Sequence, residues 1–237
     1  MISIVCPFYD EKPNLGELFK RLEAAARTLG GPWEIIFVDD GSRDGGGEYL
    51  ETLAALHPSI RRVRLEKNLG LTAAFLAGFQ EAQGEILATL DADLQNPPEE
   101  IPRLVKLLKD SGADIVAGVR RKRRDHWLKR ISSKAAKIIR CAVTGDRIED
   151  VGCSLRVFKR ETLPAFLPHK GMHRFFLTLA EAEGFKIEQT PVAHDPRRRG
   201  KSKYGFWNRL WGPLNDLVMV KCLISKKVRY RAGSARE

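Results

Sequence analysis

The chain of 237 residues contains no uninterrupted apolar run near the roughly 18 residues that a membrane-spanning helix needs, so no integral anchor is expected within it. Its opening, Met1-Ile2-Ser3-Ile4-Val5, runs straight into a strand-like stretch with no basic segment ahead of a long apolar core, which argues against a secretory signal or transit peptide. Cysteine is scarce. Cys6, Cys141, Cys153 and Cys222 stand apart without metal-ligand spacing, so neither a zinc site nor a disulfide is indicated, and reduced thiols in a cytoplasm fit. No internal repeat or low-complexity segment is found. A Gly-x-Gly-x-x-Gly turn and a Walker lysine loop are both missing, which argues against a dinucleotide or P-loop site. The length suits one large α/β domain, or a domain with an appendage.

Cations are in excess, and they are segregated. Residues 120–140 hold ten Lys or Arg against Asp125, and residues 197–237 hold twelve against Asp216 and Glu237. These segments carry +9 and +10 in a chain of net charge +11, which leaves about −8 for the rest. Unless the runs are merely solvated faces, such a split points to an anionic partner, either nucleic acid or an anionic membrane surface. Residues 120–140 hold one aromatic, Trp127, and no interleaved series suited to base stacking, which weighs against nucleic acid.

Apolar periodicity alternates between strand and helix. Ile2 to Pro7 reads as a strand and Asn14 to Leu29 as a helix with Leu15, Leu18, Phe19, Leu22 and Ala26 on one face. Trp33 to Val38, Arg61 to Glu66, Glu85 to Leu90 and Asp114 to Val119 read as further strands, separated by helices over Glu48 to Leu56, Thr72 to Ala82 and Glu99 to Asp110. Repeated βα units predict an α/β fold with a mostly parallel sheet and right-handed crossovers. The strand ends at Pro7, Asp39, Asn68 and Asp91 would then line one edge, where open α/β sheets place their ligands.

The stretch Thr89-Leu90-Asp91-Ala92-Asp93-Leu94-Gln95 organises that edge. In extended chain, residues i and i+2 share a face, so Asp91 and Asp93 are expected to present oxygens to one hard cation, with Gln95 adding a neutral oxygen. The alternative is a solvated Asp turn followed by a helix cap. Asp39 and Asp40 can accept hydrogen bonds from a base or ribose, or else form an Asp-Gly turn with Ser42 capping the next helix.

Five motifs in order carry a resemblance: Cys6-Pro7-Phe8-Tyr9-Asp10-Glu11, Val38-Asp39-Asp40-Gly41-Ser42, Asn68-Leu69-Gly70, Asp91-Ala92-Asp93-Leu94-Gln95 and Arg199-Gly200-Lys201-Ser202-Lys203-Tyr204. Over residues 1–205 the chain resembles the family 2 glycosyltransferases of the GT-A fold, and among them the dolichyl- or polyprenyl-phosphate sugar synthases. The resemblance implies a Rossmann-like GT-A domain over residues 1–204 with an amphipathic, basic extension over 205–237. It implies a UDP- or GDP-sugar pocket around Pro7, Tyr9, Glu11, Asp39, Asp40, Asn68 and Asp91, with Asp91, Asp93 and Gln95 at a Mg2+ or Mn2+ ion and the diphosphate. It also implies acceptor-phosphate contacts from Arg120, Arg130, Ser133, Arg197, Ser202 and Lys203. Two departures stand out. Asp10 replaces the usual Asn after Tyr, and Ser154 and Leu155 replace the usual Gly and aromatic in Asp150-Val151-Gly152-Cys153-Ser154-Leu155-Arg156.

The residue types suit this chemistry on their own terms. A divalent ion held by oxygen ligands neutralises a leaving nucleoside diphosphate. A phosphate monoester, with a second pKa near about 6, is already a nucleophile and needs positioning cations, not a base. Single displacement with inversion at the anomeric carbon is therefore expected. With a sugar or protein hydroxyl as acceptor, Asp150 would be the natural base; with a phosphate it orients the site, or simply pairs with Arg156. His194 is given a supporting role. Residues 206–224 read as two short amphipathic helices broken at Gly212-Pro213. Their tryptophans, and the cations Lys226, Lys227, Arg229 and Arg231, suit an anionic membrane surface or a partner subunit. The expected setting is peripheral, on the cytoplasmic face of a membrane. A basic nucleic-acid-binding protein is the remote alternative. The Gln-x-x-Arg-Trp signature of processive synthases is absent, as is the Gly-rich amino-terminal loop of sugar nucleotidyltransferases.

Overall fold

A computed structural model describes residues 1–120, 127–196 and 206–226, with side chains for all of these except 127–135 and 206–214. Seven strands form one sheet in the order β3-β2-β1-β4-β6-β5-β7. They are β1 Ile2–Phe8, β2 Trp33–Asp39, β3 Ile60–Arg64, β4 Ile86–Thr89, β5 Ile115–Arg120, β6 Arg156–Lys159 and β7 Ile187–Val192. Every neighbouring pair is parallel except those of β6, which runs antiparallel to both β4 and β5. The mostly parallel sheet is as expected; the antiparallel β6 is the addition.

Helices cover both faces, and the strands alternate to meet them. Ile4, Cys6, Ile35 and Phe37 point into one core with α1 (Lys12–Arg27), α2 (Gly46–Leu56) and α4 (Ile101–Ser111). Val5, Ile36 and Val38 point the other way, toward α3 (Leu71–Glu81), α6 (Phe176–Glu183) and α7 (Phe206–Ser225). The small residues of α3 have a packing reason, since a Cβ on Gly78 would stand 2.3 Å from Val5 Cγ1. A further helix, α5 (Trp127–Thr144), packs beside α7. Its end is pinned by the buried Arg140–Asp146 pair, whose carboxylate also accepts from Thr178 of α6 at 2.7 Å.

The carboxyl-terminal segment corrects an expectation. Phe206–Ser225 is one helix, not two broken at Gly212-Pro213. Tertiary packing outweighs the local breaker: Leu217 and Val220 are buried in the second core, and Asp216 lies against Gly171 and 3.9 Å from Arg174. Among the described residues no helix is long and apolar enough to cross a membrane.

Because six strands run parallel, their carboxyl ends share one edge, and the antiparallel β6 begins at that same edge. Phe8 lies beside Asp39, and Asp39 beside Arg64, in register. The loops after β1, β2, β3, β4 and β5, together with the loop leading into β6, therefore converge.

Candidate active site

The loops after β1 and β2 are joined by hydrogen bonds. The Asp10 N–H donates to Ser42 Oγ at 2.9 Å, and the Arg43 N–H donates to Asp10 Oδ1 at 2.7 Å. Asp10 has φ +49°, a left-handed conformation that Asp and Asn tolerate better than most residues. The Glu11 carboxylate accepts from Asn14 Nδ2 at 2.6 Å in the first turn of α1. Pro7 is buried and Tyr9 half-buried beside it.

Asp39 ends β2 with 0% exposure, and its Oδ1 accepts the Ser42 N–H at 2.7 Å. The Asp-Gly turn considered from sequence is thus present, closed by Asp39, but Ser42 does not cap the next helix, whose N-cap is Gly45. Asp40 reaches across to the next loop, where its carboxylate accepts the N–H of Leu69 at 2.8 Å and that of Gly70 at 3.0 Å. Burial raises Asp40 above the ordinary carboxylate value, and these two amides oppose the rise. Gly41 permits the approach. It has φ +76°, and a Cβ there would stand 2.7 Å from the Lys67 carbonyl carbon. Asn68 itself is exposed.

The acidic pair at the tip of β4 is arranged differently from the expectation. The strand stops at Thr89, so Asp91 and Asp93 sit in a turn and not on one face of an extended chain. Leu94 bends that turn with φ +61°, strained for a γ-branched side chain, and the Gln95 N–H closes it on Asp93 Oδ1 at 3.1 Å. The two carboxylates still act on each other: burial, and then the charge of Asp93, push Asp91 up to about 6. Cys6, buried beneath, is raised well above the ordinary thiol value by burial and then by the charges of Asp91, Asp93 and Glu11. A carboxyl pair that resists double ionisation suits a divalent cation, which would relieve the repulsion with hard oxygen ligands. Among the described residues no third His, Cys, Asp or Glu completes a metal cluster, so further ligands would have to come from elsewhere. Gln95 donates from Nε2 to the Asp195 backbone carbonyl at 3.3 Å, and its own backbone carbonyl accepts the Asp195 N–H at 2.8 Å. It thereby ties this turn to the segment after β7, where His194 is half-buried.

Asp150 does not pair with Arg156. Its carboxylate takes a bidentate fork from Arg120, with Nε at 2.7 Å and Nη2 at 2.8 Å, and accepts the Gly152 N–H at 3.1 Å. Burial works against the Arg120 charge, but the Asp150 bond raises its pKa. Of the other expected phosphate contacts, Arg197, Ser202 and Lys203 lie outside the described residues, as do the side chains of Arg130 and Ser133.

Ser154 and His173 are site-building residues without a local sequence signal, and Arg156, which ends the stretch 150–156 set against the family motif, joins them in a role that stretch did not indicate. Ser154 Oγ accepts the Asp91 N–H at 3.0 Å and Asn96 Nδ2 at 2.9 Å. His173 Nδ1 is 2.8 Å from Thr72 Oγ1 in the first turn of α3. Burial, and then the Arg174 and Arg156 charges, lower His173 to about 3, so it is neutral. Ser154 stands where the resembling family has Gly, so that motif could not have revealed it.

Comparison with known proteins agrees with this geometry. Residues 3–169 match glycosyl transferase family 2. The chain is 40% identical over 230 residues to an undecaprenyl-phosphate 4-deoxy-4-formamido-L-arabinose transferase of Edwardsiella ictaluri, a match covering 96% of this chain and 69% of that one. It is 43% identical to a transferase of the same name from Pseudomonas fluorescens, covering 96% and 66%. Mannosyltransferase PcManGT from Pyrobaculum calidifontis, solved with GDP-Man and Mn2+, superposes with a TM-score of 0.66 at 20% identity, covering 97% of this chain and 65% of that one. Glucosyl-3-phosphoglycerate synthase from Mycobacterium tuberculosis, solved with Mn2+, UDP and phosphoglyceric acid, gives 0.69 at 20% identity, covering 97% and 80%. The two solved structures establish the GT-A fold. With the family match spanning most of the sheet and two relatives alike over almost the whole chain, this protein belongs to glycosyl transferase family 2.

Proposed function

We propose that the chain moves a sugar from a UDP- or GDP-sugar to a polyprenyl phosphate, with inversion, at the cytoplasmic face of a membrane. The observation that carries this reading is the acidic turn at β4. Asp91, raised by burial and by Asp93, stands on the same sheet edge as Asp40 and Glu11, with the Arg120 guanidinium bearing on it from β5. A divalent cation bound at Asp91 and Asp93 would supply Lewis-acid stabilisation of the leaving diphosphate. Glu11, Asp39 and Asp40 would line the nucleoside end. Arg120, with Nε and Nη2 held by Asp150, would turn Nη1 toward the acceptor phosphate, and Arg130, Ser133, Arg197, Ser202 and Lys203 would complete that contact.

The Arg120–Asp150 fork favours a phosphate acceptor over a hydroxyl. A carboxylate engaged by a guanidinium and a backbone N–H is poorly placed to take a proton. The relatives named above carry undecaprenyl phosphate in their names, which agrees with this choice. Peripheral membrane contact is supported by exposed apolar side chains on the packed helices α5 and α7. Ile138 is 68% and Val218 65% exposed, with Lys137, Lys221 and Lys226 exposed nearby in sequence.

The test is a donor screen. The protein is incubated with UDP- and GDP-sugars, a short polyprenyl phosphate and Mn2+ or Mg2+; the lipid product is identified by mass spectrometry and its anomeric configuration by NMR. A glycosylated lipid phosphate of inverted configuration is expected. Retained configuration, or transfer only to hydroxyl acceptors, would overturn the reading.

A further inference from the structure

Arg156 is a buried cation, 7% exposed, that forms no ion pair among the described residues. Its guanidinium donates to three backbone carbonyls on two segments: Nε to Cys153 at 2.9 Å, Nη2 to Val151 at 2.8 Å and Nη1 to His173 at 3.1 Å. It also borders a small cavity walled by Phe79, Phe158, Phe166 and Phe176. Burial lowers its pKa, outweighing the charges of Asp150 and Asp91 that act on it in the opposite sense. A buried cation without a direct ion pair is costly, and an apolar side chain would fill the same space more cheaply.

Each carbonyl that Arg156 holds leads directly into the site. Val151 and Cys153 flank Gly152, whose N–H is on Asp150, and Ser154 follows with its bonds to Asp91 and Asn96. His173 accepts from Arg156 on its carbonyl while its ring and its N–H both meet Thr72 Oγ1. Thr72 lies two residues beyond Gly70, whose N–H binds Asp40. An unbroken chain of hydrogen bonds and short peptide links thus connects the β4 turn, the loop before β6 and the turn before α3, with one guanidinium at the junction.

We propose that Arg156 is a positioning residue for sugar transfer, its three carbonyl bonds locking these loops into one frame that fixes Asp91 relative to Asp40. Arg156 need not touch substrate. The inference rests on the transfer reading above for its functional half, and on the bonding pattern alone for its structural half.

The experiment is hydrogen–deuterium exchange on the full chain, comparing wild type with Arg156→Gln, Arg156→Lys and Phe166→Leu. The last variant loosens the same aromatic cluster but touches none of the three carbonyls. Arg156→Gln is expected to speed exchange at least about tenfold in peptides covering 68–73, 89–96 and 150–155 together, Arg156→Lys less, and Phe166→Leu no more than about twofold. In the transfer assay Arg156→Gln should lower kcat at least about tenfold with the donor KM within about threefold, and Arg156→Lys should recover part of the loss. Faster exchange confined to 150–157, or the same three peptides accelerated by Phe166→Leu, overturns the inference. So does an unchanged kcat in Arg156→Gln beside an active wild type. The expected exchange pattern in a chain that transfers no sugar would refute the transfer reading and leave the loop-locking role established.

Discussion

The Asp91 N–H donates to Ser154 Oγ at 3.0 Å, and this bond ties the tip of a parallel strand, β4, to the loop that enters its antiparallel neighbour, β6. Thr89 adds a second tie through its hydroxyl to the Ser154 carbonyl at 2.7 Å. Replacing Ser154 with Gly keeps the second tie and removes the first, leaving two buried donors, Asp91 N–H and Asn96 Nδ2, without that acceptor. A loss of about 1–3 kcal/mol in urea denaturation is expected. No change in midpoint would mean that Ser154 does not hold the turn.

The Arg120–Asp150 fork is largely buried, with side-chain exposures of 16% and 6%. Asp150→Ala strands a buried guanidinium and should cost about 3–5 kcal/mol, whereas Arg120→Met combined with Asp150→Leu should recover much of that stability. Denaturation of the three variants gives the comparison. A double variant as unstable as Asp150→Ala would show that the loop, and not the charge, had been lost.

Asp91 predicts a linkage of defined sign. Its carboxyl is raised from 3.8 to about 6 by burial and then by Asp93, so the native state holds that proton to higher pH than the unfolded chain does. Its favourable contribution is complete below about pH 4 and is lost as pH rises through about 6. At about pH 7.5 the metal-free Asp91→Asn variant should therefore be more stable than wild type by about 1–2 kcal/mol. Mn2+ with UDP or GDP is expected to raise the melting temperature of wild type, and the same variant should show none of that rise. A lower melting temperature for metal-free Asp91→Asn would contradict this account.

Strands β1 and β2 were legible because both their faces are buried between helix layers, so Ile2 to Pro7 and Trp33 to Val38 read as continuous apolar runs. Strand β6 was not legible. It is four residues long, and its first residue, Arg156, is a buried cation that no hydropathy pattern marks as strand. Strand β7 lies at the sheet edge, and its Ile187-Glu188-Gln189-Thr190-Pro191-Val192 is too polar to stand out. The acidic residues of the site were visible as residue types at strand ends, but their geometry was not: whether Asp91 and Asp93 continue a strand or form a turn depends on Leu94 adopting a left-handed conformation, which no propensity favours. Pro213 misled for the opposite reason, because long-range packing of Leu217 and Val220 carries α7 through it.

That packing makes α7 part of the second core and not a detachable tail. Leu217→Ala should cost about 2–4 kcal/mol in thermal or urea denaturation while leaving the affinity for UDP or GDP with Mn2+ within a few-fold. Native stability in this variant would show that the helix does not stay docked in solution.

The central claim is that the carboxylates at the tip of β4 carry the transfer of sugar to a lipid phosphate. It is tested most directly by the rate of glycosylated polyprenyl phosphate formation by Asp93→Ala beside wild type, with each donor that wild type accepts. A loss of at least about 10²-fold, in a variant that still shows a cooperative melting transition, is the predicted result. Turnover within a few-fold of wild type would contradict it.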